Sequence, residues 1–475
     1  MATTAAEAVP VIEHAQIAIN AIARFPDQPK ARMRKDTNLF LKYVGASVIG
    51  MIICGSYSIV DTVFIGQASG KTGLAAVALT WPLVMLVMSV GDLIGAGGAV
   101  LIAQAKGAGD QKEAQRVFSG ICLLGLAVAI LLPLLVFPVL PPLLRWLGAN
   151  PELYDTSFRY SWILVGGTCF FVLQAIPQEV MRNDGHPMIS MWLTIGGLLG
   201  NIVLDWVFIM LLEMGAVGAA VATVVSQTIA GFAGICYFFS GKTELRFRPR
   251  EIFTFDWKLL QRITITGLPI FGNMLSVIAM LYMHNAQSLK YGDVDGLAAY
   301  TVVSTIESLG SMLLTGIACG MQPLAANMHG AGKFKRQNRF GVYGYQTAFA
   351  VGILLMLFSF AVHNVAPGWM GIADETADLA AHAIMLSAPA FIFLGVIRVA
   401  GFYYQSTGQI GISSWLIYGD SFLALPLCLY TLPLRFGLNG VWLAMPASRI
   451  LLAILLLYFW FGRKRPCHLD FSAEV

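Results

Sequence analysis

Two carboxylates stand in stretches that otherwise read as hydrocarbon. Asp205 lies in "GNIVLDWVFIMLL" (200–212), and the 25 residues from Met188 to Leu212 hold no other charged side chain. Asp61 lies in "SIVDTVFIG" (58–66). An ionised carboxylate away from water is costly, so each must take a proton, hold a cation or find a partner. Two that come close cannot easily both remain charged. Spacing shows what else can join them. Asn201 precedes Asp205 by four residues and Tyr57 precedes Asp61 by four, so each pair shares one helical face. Thr223, in "AAVATVVSQ" (219–227), adds a hydroxyl. Neutral amide and hydroxyl oxygens suit a hard cation such as Na⁺. The chemistry open to Asp61, Asn201, Asp205 and Thr223, with Tyr57 beside them, is reversible binding of H⁺ or Na⁺.

The rest of the chain must place these groups at one depth. Of 475 residues, 57% are apolar and 12% charged, and the mean hydropathy is +0.72. Soluble domains carry about a quarter charged residues, so this is an integral membrane protein. Segments of 18 or more apolar residues span a ~30 Å hydrocarbon core as helices. Twelve are read, near 40–66, 74–104, 117–140, 158–181, 187–212, 215–240, 264–289, 297–327, 340–363, 381–405, 410–433 and 438–462. None alternates with period two, which argues against a β-barrel. The seven cysteines form no CxxC pair and are read as packing residues. "AVPVIEHAQIAINAIARF" (8–25) is read as a short surface helix or a plain tail, not a signal peptide.

Basic residues set the orientation. With twelve spans and a cytoplasmic N-terminus, 23 of the 30 Lys and Arg fall on the cytoplasmic side. Lys71, Arg145, Arg159, Lys290 and Arg435 fall opposite, and Arg398 and Arg449 lie inside spans. Positive loops stay inside, so both termini are expected in the cytoplasm and the chain in the cell's inner (plasma) membrane. The net charge of +4 follows from this topology, and no nucleic-acid partner is expected. Asp61, Asp205 and Thr223 then sit roughly 8–12 Å below the outer surface, at ~1.5 Å of rise per residue.

The chain also repeats itself at an offset of 223 residues. "GLAAVALTWPL" from Gly73 stands over "GLAAYTVVSTI" from Gly296, and "AQAKGAGDQKEAQR" (103–116) over "ANMHGAGKFKRQNR" (326–339). Gly185 meets Gly408; after that the offset slips by one. Shared glycines and loop charges at one offset mean duplication, and six spans per copy make the repeats parallel. The expected architecture is all-α: twelve transmembrane helices in two parallel six-helix lobes, the plan of rocking-bundle transporters. The expected divisions are a cytoplasmic tail 1–39, an N-lobe 40–240, a cytoplasmic linker 241–263, a C-lobe 264–462 and a tail 463–475.

A resemblance now becomes specific. "SIVDTVFIG" in the first span, "GLAA" opening the second, "GAGD" (107–110) after it and "NIVLD" (201–205) in the fifth resemble the multidrug and toxic compound extrusion (MATE) family. The Asp of the first span and the Asn-x3-Asp of the fifth look like its DinF-like branch, and the match covers about 40–462. The resemblance implies a cation-coupled antiporter, and it assigns coupling to Asp61, Asn201, Asp205 and Thr223. It implies no enzyme and no cofactor beyond H⁺ or Na⁺. The expected partners are small organic compounds and the lipid bilayer, and a monomer is expected. Buried acids among Met and aromatic residues favour amphipathic cations as substrates.

Against this stands a bracing role for the acids. At the 223 offset Asp61 corresponds to His284, Asn201 to Ala424 and Asp205 to Cys428, so the set belongs to one lobe only. A brace needed by the fold should recur; this does not. The C-lobe has its own charges, Glu307, Arg398, Asp420 and Arg449, which are read as mutual ion pairs or, with His284, as a second coupling or substrate-binding set. Asp92 is read as cavity lining or as a solvated helix end, and Pro82 and Pro177 as kinks. Gln178 stands where the family often has Asn, too far from Asp205 to complete the cation site, and is a cavity candidate. Two rivals remain. A flippase for a lipid-linked saccharide would want a basic cavity, for which only Arg398 and Arg449 serve. An intramembrane aspartyl enzyme would need a GxGD motif, but Ser89 precedes "VGD".

Overall fold

The computed structural model describes residues 30–462, apart from 242, 249–250, 252–255, 371 and 373. The surface segment expected at 8–25 and the tail 463–475 lie outside the described residues, as does part of the linker. Among the described residues every regular element is a helix. The spans of the first lobe are α1 (Met33–Gly70), α2 (Thr72–Gly107), α3 (Gln111–Trp146), α4 (Pro151–Gly166 and Thr168–Asn183), α5 (Pro187–Leu211) and α6 (Gly215–Phe239). In the second lobe, Trp257–Gly330 contains α7 and α8, which meet at Asp293. There follow α9 (Phe334–Val362), α10 (Asp374–Ser387 and Ala390–Ser406), α11 (Ile410–Phe436) and α12 (Leu438–Gly462). Among the described residues the count is twelve.

The turns repeat with the sequence. Gly70 (φ 56°, ψ −150°) separates α1 from α2, and Asp293 (φ 49°, ψ −148°), its equivalent 223 residues on, separates α7 from α8. Glycine holds such a conformation without steric cost, whereas at Asp293 the same backbone lies outside the left-handed helical well that Asp tolerates and is strained.

Two details differ from expectation. The first helix begins at Lys30, well before the expected boundary at 40, because Asp36 is fully buried against the other lobe. It accepts from Arg336 Nε at 2.9 Å and from Arg339 Nη1 at 3.0 Å, both in α9. Helix also continues through Pro82 and Pro177; the 49° break of α4 falls at Gly167, where Val224 Cγ2 lies 2.5 Å from the place of a Cβ. The corresponding 46° break of α10 is at Pro389.

Glycines explain how the lobes join. A Cβ on Gly107 of α2 would fall 2.0 Å from Asn327 O of α8, and one on Gly330 of α8 would fall 1.8 Å from Gln104 O of α2. Gly107 and Gly330 are repeat equivalents, and so are Gln104 and Asn327. The same holds one level deeper, where Gly97 meets Gly267 of α7 and Gly320 of α8 meets Val44 of α1. Side chains reinforce this crossing: Gln104 donates to Ser406 O at 2.8 Å and Asn327 to Ala103 O at 3.4 Å. The contacts run along α1 from Tyr43 to Gly55, α2 from Leu93 to Gly107, α7 from Leu259 to Gly267 and α8 from Met312 to Gly330. All lie toward the end of the bundle where the basic loops gather.

At that end, ion pairs also tie each lobe to the other. Arg262 of α7 donates to Glu113 of α3 at 3.2 Å, and Arg116 of α3 pairs with Asp256. Asp256 caps α7 by accepting from the Leu259 N–H, which with the Arg116 guanidinium holds its carboxyl below the usual carboxylate range. A methyl group at Gly330 should therefore loosen the junction. Cys319, 4% exposed within it, should react faster with a maleimide in Gly330→Ala than in the parent, with all other cysteines replaced in both. Gly45→Ala, which meets nothing within 4 Å, should leave the rate unchanged. Equal rates in all three would contradict this packing.

Candidate cation site

The site is assembled by α1, α4, α5 and α6. Along α5 the residues Trp192, Leu199, Val203 and Trp206 are exposed, forming the lipid-facing stripe of an apolar helix. Its opposite face turns Asn201 and Asp205 inward, at 1% and 0% exposure. From α1, Asp61 is 6% exposed, and from α6 Thr223 is 4% exposed. The carboxyl groups of Asp61 and Asp205 stand within hydrogen-bonding reach of one another. Tyr57 belongs to α1, but its side chain lies outside the described residues.

Hydrogen bonding decides what such a cluster can do. Among the described residues, Asp61 Oδ1, both carboxyl oxygens of Asp205 and both polar atoms of Asn201 are buried without a hydrogen-bond partner. A buried polar atom left unpaired costs about 1–3 kcal/mol, and a charged one more. A shared proton would let one carboxyl donate to the other. A hard cation would instead be met by carboxylate and amide oxygens together. The donor set therefore fits either occupant. Helix α5 also widens here: residues Trp206–Leu211, immediately after Asp205, form a π-helix. Such turns free backbone geometry and are frequent at functional sites. The other π segment among the described residues, Asp420–Ala424 in α11, begins at a half-buried acid.

Sequence reasoning missed one member. Tyr160 of α4, 1% exposed, sits in the field of both carboxyls. Ser157, Tyr160 and Ser161 are all buried and lie at i, i+3 and i+4. That polar stripe was readable, but only the fold shows that its Tyr160 comes near Asp61 and Asp205.

With this geometry in place, a family model described as MatE matches residues 46–207 and 269–429. The chain belongs to the MATE family. The two matches begin 223 residues apart, so this family's unit is present twice. The protein is a membrane transporter, not an enzyme. It is similar to the multidrug export protein MepA of Staphylococcus haemolyticus, 23% identical over 434 residues covering 90% of this chain and 94% of that one. MepA of Staphylococcus aureus strain MSSA476 is 24% identical over 424 residues, covering 86% and 91%. Its fold is that of an outward-facing multidrug resistance MATE transporter of the MOP superfamily, with TM-score 0.84, 22% identity and coverage of 90% and 95%. A MATE structure in the bent conformation gives 0.83, also at 22% identity, with coverage of 90% and 94%.

The C-lobe of this MATE protein gathers a different set. Glu307 of α8 and Arg449 of α12 form a buried ion pair, and Ser448 Oγ lies 3.4 Å from Asp420 Oδ1. Arg398 of α10 lies in the field of Asp420 and Arg449, with its Nε unpartnered. His284 is fully buried, stacks on Tyr300 at 5.0 Å and 5°, and makes a 3.0 Å hydrogen bond to Met280 O through Nδ1. The structure thus brings His284, Glu307, Arg398, Asp420 and Arg449 together within one lobe, apart from the Asp61 cluster. Gln178 belongs to neither; it donates to Thr194 Oγ1 at 2.8 Å, linking α4 to α5. Asp92 of α2 feels Glu179 and Arg182, which form an ion pair on α4.

Removing one partner of a buried ion pair strands the other, at a cost of about 3–5 kcal/mol, whereas replacing both with apolar groups is often neutral. Arg449→Met should therefore lower stability in detergent by about 3–5 kcal/mol, and adding Glu307→Leu should restore most of that loss. Equal losses in the single and double variants would show that the pair does not hold this lobe together.

Proposed function

We propose that this MATE protein is a cation-coupled antiporter that exports amphipathic, cationic organic compounds. The observation that carries this reading is the Asp61–Asp205 pair, two buried carboxyls within reach of one another, with Asn201 unpartnered beside them. Thr223 and Tyr160 complete its surroundings, and the coupling ion is H⁺ or Na⁺. The distribution of basic loops supports a plasma-membrane orientation with both termini cytoplasmic, which puts the pair near the outer face where an inward ion gradient delivers its ion. The names of the MepA relatives support small organic compounds as substrates. Asp61 and Asn201-x3-Asp205 support a DinF-like character, and the protein acts as a monomer.

Helix α1 provides the mechanical link. It carries Asp61, and six residues earlier Gly55 begins the face that packs on α8. Binding a proton or cation at Asp61 and Asp205 removes charge from the outer half of a helix whose other half forms the lobe junction. An ion with different affinity for the two lobe arrangements shifts their populations. Substrate leaves outward in one arrangement and is loaded from the cytoplasm in the other. Commitment of Arg449 to Glu307 weighs against a basic cavity for a lipid-linked pyrophosphate.

Proteoliposomes test this directly. Under an imposed pH gradient, and separately under a sodium gradient, wild-type protein should drive organic-cation transport under at least one. Asp61→Asn and Asp205→Asn should each abolish that transport while expressing and melting like the parent. Wild-type transport by both variants would end the proposal.

A further inference from the structure

The start of α7 carries an exposed stripe that the lobe junction does not use. Lys258, Gln261, Arg262 and Ile265 stand at i, i+3, i+4 and i+7, so they share one face of the helix, and all four are exposed. Leu259, Ile263 and Gly267, on the opposite face, pack against α2 and α3. With Ile410 at the start of α11, the four residues of the stripe line a groove of about 340 Å³. Deeper in the bundle, hydrogen bonds hold the two helices together: Ser276 Oγ of α7 donates to Ile417 O at 3.3 Å, and Tyr418 Oη of α11 donates to Leu268 O at 2.9 Å. The groove therefore lies between two helices at the end of the bundle where the basic loops gather.

Charge at this corner is not balanced by the protein. Glu113 accepts from Arg262 at 3.2 Å and Asp256 pairs with Arg116, so both acids already have arginines. Lys258 joins no ion pair among the described residues. Arg262 uses Nη1 on Glu113, which leaves other guanidinium N–H groups to donate. A lysine point charge and an arginine fork one helical turn apart suit a phosphate. Helix α11 adds to them, because Gln409 makes no side-chain cap hydrogen bond to its first turn, and an open helix N-terminus favours an anion. One turn deeper the lining changes to Ile265 and Ile410. Farther along α11, Phe422 is exposed, with its ring centroid 6.2 Å from that of Tyr418. Trp257, next to the stripe, is exposed as well, and tryptophans gather at the headgroup level of a bilayer.

We propose that this groove binds the headgroup of an anionic phospholipid from the leaflet on the side of the basic loops, with its phosphate between Lys258 and Arg262. Basic pockets between membrane helices at that level take such headgroups. The amide of Gln261 meets the glycerol oxygens, and Ile265 and Ile410 meet the first methylenes of the acyl chains. A soluble phosphate would use only the basic half of the groove, whereas a lipid uses both halves. A zwitterionic lipid offers the same phosphate but brings its own ammonium, which Lys258 repels. The arginine that meets the phosphate also joins α7 to α3 of the other lobe, so the lipid lies against an interlobe ion pair. The site is separate from Asp61 and Asp205 and does not depend on the antiport reading.

Native mass spectrometry of the full-length protein in detergent tests this, by titration with dioleoylphosphatidylglycerol and, separately, dioleoylphosphatidylcholine. The first phosphatidylglycerol should bind the parent about tenfold or more tightly than phosphatidylcholine, as two basic residues near a bilayer surface provide. Lys258→Ala should weaken that first step about fivefold, and Lys258→Arg should restore it. Lys35→Ala removes an exposed charge at the repeat-equivalent position of α1, where Leu39 stands in place of Arg262, and should leave the step unchanged. Inorganic phosphate, added at the same concentration as the lipid, should not displace it. Equal losses in Lys258→Ala and Lys35→Ala would show diffuse attraction to the basic face and overturn the site. So would an unchanged first step in Lys258→Ala, or equal affinity of the parent for the two lipids. Displacement by phosphate would show a site for free anions and overturn the lipid assignment.

Discussion

Charge without water is the constraint on which this molecule depends. A span of 25 residues tolerates Asp205 only because Asp61 is brought to it from another helix, with Asn201 at the same level. Neither acid has enough partners within the protein to remain comfortably ionised. In the proposed antiport, an occupant that arrives and departs satisfies this need, and its departure leaves the need unmet. That alternation is what a coupled transporter uses. The C-lobe meets the same constraint in another way, by giving Glu307 an arginine. A permanent partner makes a fixed structure; an absent one makes a site.

Duplication supplies the frame in which the site can act. The lobes touch through glycines that are equivalent in the two repeats, Gly97 with Gly320 and Gly107 with Gly330, so the junction is nearly symmetric about the axis between them. Close backbone approach gives a junction with little side-chain interdigitation, suited to separating and re-forming. The asymmetry is confined to what each lobe holds inside. His284 and Cys428 replace the two acids in the second copy, so one lobe carries the acid pair and the other does not.

Much of this was legible in the residues. Hydropathy located the spans, the 223-residue offset located the lobes, and helical spacing paired Asn201 with Asp205. What escaped depended on contacts distant in sequence. The early start of the first helix, at Lys30 just before the α1 span, is explained by Asp36, whose arginine partners lie 300 and 303 residues away. The break of α4 was expected at Pro177 but falls at Gly167, because the crowding side chain, Val224, belongs to α6. Tyr160 lies on a readable buried stripe, but its nearness to the acids depends on how α4 packs within the lobe. The pairing of Glu307 with Arg449 rather than with Arg398 is likewise a matter of facing helices, which spacing along one chain does not encode.

The central claim is that Asp61 and Asp205 behave as one proton-binding unit. Infrared difference spectroscopy of the purified protein between high and low pH reads protonated carboxyl groups directly. The wild type should show a carboxylic C=O band that disappears at high pH. Asp61→Asn and Asp205→Asn should each shift that band's midpoint, because either substitution removes the neighbour whose charge the other feels. If each single variant kept its remaining carboxyl at the wild-type midpoint, with the band merely reduced in size, the two acids would be independent and the account would be contradicted.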